Sequence, residues 1–239
     1  MQIQTVGIIG AGTMGNGIAQ ACATSGINVV MVDISEAAVQ KGLATVAGSL
    51  DRLIKKEKIS AADKEAALAK IKVSTDYSAL KAAQLVIEAA TENEALKVKI
   101  LQEVDALVGP EVLIASNTSS ISITKLAAVT GRADKFIGMH FFNPVPMMAL
   151  VEVIRGLQTS DATHAAVQAL AQQLGKTPIT VKNGPGFVVN RVLIPMINEA
   201  FFVLAEGLAT AEDIDAGMKL GCNHPIGPLA LADMVGLDV

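Results

Sequence analysis

A glycine-rich turn set between two short apolar runs constrains this chain more than any other feature. Val6-Gly7-Ile8-Ile9 leads into Gly10-Ala11-Gly12-Thr13-Met14-Gly15, and a second run, Asn28-Val29-Val30-Met31-Val32, ends in Asp33. This is the G-x-G-x-x-G turn of a βαβ dinucleotide-binding unit, with its acidic residue 18 positions after the third glycine. Gly10 permits the tight turn out of the strand, Gly12 lets backbone approach a pyrophosphate, and Gly15 lets the helix pack closely on the sheet. The helix start at Thr13 and Met14 offers unpaired N–H groups and the positive end of a dipole to that pyrophosphate. Asp33 suits the ribose hydroxyls of an adenosine, and its charge repels a 2′-phosphate. The motif therefore predicts NAD rather than NADP.

The same segment has to be tested against a membrane reading, because residues 1–32 carry no charge and mean hydropathy is +0.46. A membrane span needs about 20 mostly apolar residues. Here Gln, Asn, Thr, Ser and six glycines interrupt the run. No basic segment marks a secretion signal, and the motif begins too early for a presequence. The expectation is a soluble, cytoplasmic chain. With 239 residues, 51% of them hydrophobic, the chain can bury a large core and hold one or two domains. A net charge of -4 and a pI near 5.4 argue against nucleic-acid binding. Cys22 and Cys222 form no metal-ligand pattern, so no metal is expected, and both read as small apolar residues in a reducing compartment.

Ser35 caps a predicted helix in which Val39, Leu43, Val46, Leu50 and Leu53 recur at spacings of 4, 3, 4 and 3, running to about Lys58. Ser60 with Asp63 reads as a capping box opening a second helix to about Lys70, and the two form a helical hairpin standing out from the sheet. Further strands are predicted at 72–74, 85–88, 112–116, 136–140, 150–154 and 179–182, with helices near 93–108, 123–129 and 161–174. This alternation implies an α/β fold with a Rossmann-type, doubly wound and mainly parallel sheet over residues 1–184. Asn183-Gly184-Pro185-Gly186 marks a boundary, and residues 185–239 read as a small all-helical domain packed against the first. Its first helix runs from about Phe187 to Glu206 with Pro195 inside, and Thr210 with Asp213 caps the next.

Three histidines are present. His164 lies in an Ala/Gln-rich helix and His224 in the turn Asn223-His224-Pro225. His140 ends a predicted strand, where ligands of doubly wound sheets bind. Twelve residues on, Glu152 stands alone in the apolar run Leu150-Val151-Glu152-Val153-Ile154 and needs a partner if buried. A paired His and Glu suits a base that gains a proton as a hydride leaves its substrate. Spacing alone favours the plainer alternative, a satisfied core histidine and an exposed edge glutamate.

Several stretches together resemble the 3-hydroxyacyl-CoA dehydrogenase family, and within it the bacterial members that act on 3-hydroxybutyryl-CoA. They are Gly10–Gly15, Ile87-Glu88-Ala89-Ala90-Thr91-Glu92-Asn93, Ser116-Asn117-Thr118-Ser119-Ser120, and His140–Pro146 with Leu150–Ile154. Gly184-Pro185-Gly186-Phe187-Val188-Val189-Asn190-Arg191 and Met218–Gly221 with Pro225–Pro228 complete the set, which covers essentially the whole chain in order. The resemblance implies that His140 is the general acid/base on the substrate's 3-oxygen and that Glu152 orients it. Ser119 and Asn190 would hydrogen-bond that oxygen or the groups beside it. Glu92, Lys97, Asn117, Ser119 and Asn143 would line the NAD site. Taken singly, Lys97 also reads as a solvated helix residue, Ser119 as a turn or capping serine, and Asn190 as a helix-start residue.

Ser49, Arg52 and Lys56 share one face of the long helix at i, i+3 and i+7, with Lys55 beside it. Relatives use the positions of Ser49 and Lys56 for the phosphates of an acyl-CoA, although such a cluster is also the usual look of a solvated helix end. The resemblance further implies a homodimer and additional helices beyond Gly236-Leu237-Asp238-Val239, so the second domain is expected to be incomplete. The implied reaction interconverts (S)-3-hydroxyacyl-CoA and 3-oxoacyl-CoA at short chain length. The alternatives are a dehydrogenase of free β-hydroxyacids, which usually employs a catalytic lysine, and a non-catalytic NAD-binding relative.

Overall fold

Every strand expected within the first 182 residues is found in one sheet of the computed structural model, which describes residues 2–237. The strands are β1 (Thr5–Ile9), β2 (Asn28–Val32), β3 (Ile71–Ser74), β4 (Leu85–Glu88), β5 (Leu113–Ser116), β6 (Phe136–Phe141), β7 (Leu150–Arg155) and β8 (Thr177–Lys182). Their order is β3-β2-β1-β4-β5-β6-β7-β8, and every neighbouring pair is parallel except β6 and β7. Successive side chains leave a strand on opposite faces. Val6 and Ile8 accordingly enter one core while Ile9 enters the other, so helices cover both faces. The doubly wound, mainly parallel sheet is the one expected.

One face packs on α1 (Thr13–Thr24), α2 (Glu36–Lys55), α3 (Ala61–Ala69) and, further along the chain, α6 (Asp161–Gln173). The other packs on α4 (Glu94–Leu107) and α5 (Ile123–Ala128). Side-chain caps start α2 to α6: Ser35 accepts from Ala38 N–H, Asn93 from Leu96, Ser122 from Lys125 and Ser160 from Thr163, while Ser60 and Asp63 form the reciprocal box. The hairpin of α2 and α3 does not project freely. Val39, Val46, Leu50 and Ala67 are buried in the same core as Ile18 and Cys22. Helix α2 also ends at Lys55, short of the predicted Lys58, because Glu57 turns into the left-handed region at φ 55°.

The chain divides into two compact units, residues 1–187 and 188–239. The second unit holds α7 (Val189–Ala205, with Pro195 inside), α8 (Ala211–Gly221) and α9 (Pro228–Val235). Thr210 caps α8 through Asp213 N–H as expected, whereas α9 was not foreseen. It is held by Asp215, whose two carboxylate oxygens accept the Leu229 and Ala230 N–H groups at 2.8 and 2.9 Å. Asp238 and Val239 of the expected chain-end break lie outside the described residues. No helix among the described residues is long and apolar enough to cross a membrane.

Candidate active site

The glycine turn sits where the strand order reverses, since β1 is flanked by β2 on one side and β4 on the other. At such a switch point the loops diverge and leave a crevice at the carboxyl edge. Gly10 takes φ 99°, which a side chain would resist, and a Cβ on Gly15 would lie 1.7 Å from the Gly10 carbonyl oxygen. A Cβ on Gly12 would meet nothing within 4 Å, so this glycine faces open space. Gly12 brings no side chain to cap α1, and the first N–H groups of any helix lack intrahelical acceptors. Asp33 Oδ2 accepts the Ala11 N–H and Oδ1 the Ile34 N–H, both at 2.7 Å, which aims the carboxylate at the turn. An open glycine, an uncapped helix start and an oriented carboxylate together fit a dinucleotide.

Further along the same edge, β4 ends in a carboxylate that is completely buried. Glu88 accepts the Ala90 N–H at 2.8 Å, the Ser116 hydroxyl at 2.7 Å, and the Lys97 ammonium at 2.7 and 2.8 Å on its two oxygens. Lys97 also lies 3.3 Å from Glu92 Oε2. The solvated reading of Lys97 is thereby overturned: its side chain is 1% exposed, and it faces the crevice through Glu92, whose side chain is 39% exposed. Glu92 Oε1 in turn accepts the Thr118 hydroxyl and the Ser119 N–H at 2.6 Å each, and the Ser119 hydroxyl at 3.2 Å. Burial pushes the Glu92 carboxyl up, but the Thr118 hydroxyl, the Lys97 charge and the Ser119 N–H together hold it below the usual glutamate range. Asn117 Oδ1 accepts the Phe141 N–H at 2.9 Å and ties the end of β5 to the end of β6.

His140 and Glu152 are directly opposite one another in the antiparallel register of β6 and β7. Their side chains leave the sheet on the same face, and His140 Nδ1 lies 2.7 Å from Glu152 Oε2. An ionised carboxylate can only accept, which assigns the Nδ1 proton to this contact and leaves Nε2 as the lone pair when the ring is neutral. Glu152 is no exposed edge residue: β8 covers the far side of β7, and the side chain is fully buried. The His140 ring packs against Phe142 at 4.5 Å and Phe187 at 5.7 Å between centroids. This pair can take up and release a proton at an enclosed position.

The loop of residues 142–149 joins β6 to β7, and Lys176 Nζ donates to the carbonyls of Val145 and Met148 at 2.6 and 2.8 Å. Asn143 stands exposed near its start. Arg52 is exposed on the last turns of α2 with the half-buried Ser49, and exposed Lys56 forms the C-cap rather than a helical residue. The twenty residues of α2 span about 30 Å, which sets Lys56 that far from the helix start beside Asp33. Asn190 lies in the first turn of α7, in the second unit. Sequence reasoning missed the Glu88–Lys97 ion pair as a contact. A glutamate closing the apolar run Leu85-Val86-Ile87 was the signal that could have found it, since a buried carboxylate must have a partner.

Residues 5–184 match the family described as 3-hydroxyacyl-CoA dehydrogenase, NAD binding domain, and residues 186–239 match the C-terminal domain of the same family. A 3-hydroxybutyryl-CoA dehydrogenase of Bradyrhizobium diazoefficiens is 50% identical over 99% of this chain and 80% of its own. One from Clostridioides difficile is 48% identical over 97% of this chain and 83% of its own. Among solved structures, that of (S)-3-hydroxybutyryl-CoA dehydrogenase from Ralstonia eutropha superposes with a TM-score of 0.98 at 78% identity, covering 99% of this chain and 84% of that one. With both family domains matched end to end, this chain belongs to the 3-hydroxyacyl-CoA dehydrogenase family.

Proposed function

We propose that this chain is an NAD-dependent dehydrogenase interconverting (S)-3-hydroxybutyryl-CoA and acetoacetyl-CoA. The observation that carries the reading is the enclosed His140–Glu152 pair, 2.7 Å apart, at the carboxyl end of β6 in a dinucleotide-binding sheet. Gly10, Gly12, Thr13, Met14, Gly15 and Asp33 hold the adenosine diphosphate part of the cofactor. Glu92, Asn117, Ser119 and Asn143 line the remainder, with Lys97 acting through Glu92. When bound, NAD supplies the acceptor or donor for the hydride at substrate C3. On oxidation His140 Nε2 takes the proton of the 3-hydroxyl, and on reduction it returns that proton to the 3-oxygen. Glu152 accepts from Nδ1 and stabilises the imidazolium. Phe142 and Phe187 flank the ring and exclude water from it. Ser119 and Asn190 orient the 3-oxygen, while Ser49, Arg52 and Lys56 meet the CoA phosphates.

Residues 1–184 form the cofactor domain and 185–239 the substrate and dimer domain of a cytoplasmic homodimer. Loss of NADH absorbance with acetoacetyl-CoA, run beside acetoacetate, tests the reading. Turnover of the thioester alone is the expected result. Equal turnover of the free acid overturns the CoA assignment, and no turnover of either substrate overturns the enzymatic one.

A further inference from the structure

The buried Glu88–Lys97 pair calls for a physical reason. Taking two charges out of water is costly, and a well-packed apolar pair in their place is often as stable or more so. Apolar residues at 88 and 97 could not, however, present a cation to Glu92. Lys97 has three protons; two positions are taken by the oxygens of Glu88, and the ammonium also reaches Glu92 Oε2 at 3.3 Å. Among the described residues Lys97 is the charged group facing Glu92, with Glu88 behind it. Glu92 spends its other oxygen on the Thr118 hydroxyl and on both the N–H and hydroxyl of Ser119. One carboxylate thus pins the turn that carries Ser119, and its own orientation is set from within the core.

We infer that Glu88 and Lys97 are positioning residues for the reaction: the buried pair fixes Glu92 as an oriented carboxylate, and Glu92 fixes the place of Ser119. The inference rests on the proposed contact of Ser119 with the substrate. It gives the ion pair a functional reason and makes Glu88, which touches no crevice surface, matter for turnover. A low-dielectric array of this kind is effective only when every member is satisfied, and Glu88 has all its partners.

The test compares Ser119→Ala, Glu92→Gln and the double variant Glu88→Gln with Lys97→Met, which leaves no lone buried charge. The readouts are thermal midpoint, kcat and KM for acetoacetyl-CoA and NADH, and kcat/KM against pH. The double variant is expected to melt close to the parent and to lose roughly 10- to 100-fold in kcat/KM for acetoacetyl-CoA, as a misplaced contact does. It should also gain an acid-side limb, because Glu92 without its cation protonates more readily. Adding Glu92→Gln should remove that limb and cost nothing further in kcat/KM for acetoacetyl-CoA at saturating NADH. A folded double variant with parental kcat/KM and pH profile overturns the positioning role, and additive losses overturn the route through Glu92. If the double variant does not fold, Glu88→Gln alone carries the same comparison, since the isostere keeps the shape and weakens the hold on Lys97. Parental turnover by Ser119→Ala instead overturns the reading of Ser119, which separates the two failures.

Discussion

His140 is the residue on which the proposed chemistry turns, and its surroundings say what its loss should cost. The ring is held by the fully buried carboxylate of Glu152 and packs against Phe142 and Phe187. His140→Gln is expected to lower kcat on the order of 10²–10⁴-fold, measured by NADH absorbance, with the NADH dissociation constant unchanged. Glu152→Gln keeps a hydrogen bond but not the charge that stabilises an imidazolium, and it too should damage kcat. Turnover at the parental rate in either variant removes that residue from the mechanism. Phe187 holds its ring against His140 from a left-handed backbone at φ 52°, a conformation that costs a non-glycine residue about 1–2 kcal/mol. At this scale the sequence could place His140 at a strand end but could not pair it, because two side chains twelve residues apart meet only through one antiparallel register.

Helix ends show how much an element announces in its own residues. The caps Ser35, Ser60 with Asp63, and Thr210 with Asp213 were all legible, since each needs only a backbone N–H three residues on. The C-terminus of α2 was not, because it ends without a glycine. Lys58 N–H reaches the Leu53 carbonyl and Glu57 N–H the Ile54 carbonyl, the same pattern that Gly26 completes after α1. Glu57 occupies the left-handed position at φ 55°. Glu57→Gly should therefore stabilise the first unit by about 1 kcal/mol, seen as a rise of roughly 2–4 °C in thermal midpoint. A fall would mean that the Glu57 side chain contributes more to the folded state than its left-handed backbone costs. Lys56, now a cap beside that turn, belongs to the same element. Lys56→Ala should raise KM for acetoacetyl-CoA and leave KM for NADH alone. The effect should shrink at high ionic strength, because the screening length falls from about 8–10 Å at physiological salt to about 3 Å at 1 M. An unchanged KM for the thioester would leave this face as a solvated helix surface.

For the whole molecule, the glycine turn and Asp33 make cofactor binding a statement about stability. A ligand that binds only the folded state stabilises it by about 2.7 kcal/mol at a hundred times its dissociation constant. NADH at that concentration should raise the midpoint of the first unit by roughly 5–10 °C. NADPH at the same concentration should raise it far less, and Asp33→Ala should narrow the gap chiefly by weakening NADH. Equal shifts in the unmodified protein would contradict the role of Asp33. The sequence by itself determined the winding of the sheet, the glycine turn and most helix starts, because each depends on periodicity or on contacts a few residues apart. Only the tertiary structure decided that β7 runs antiparallel to β6 with β8 on its other edge, which buries Glu152 against His140. It alone turned Lys97 from a surface lysine into the centre of a buried Glu88–Lys97–Glu92 array. Those outcomes depend on which strands become neighbours and on how much water the packed helices exclude. Neither quantity is carried by any local stretch of the chain.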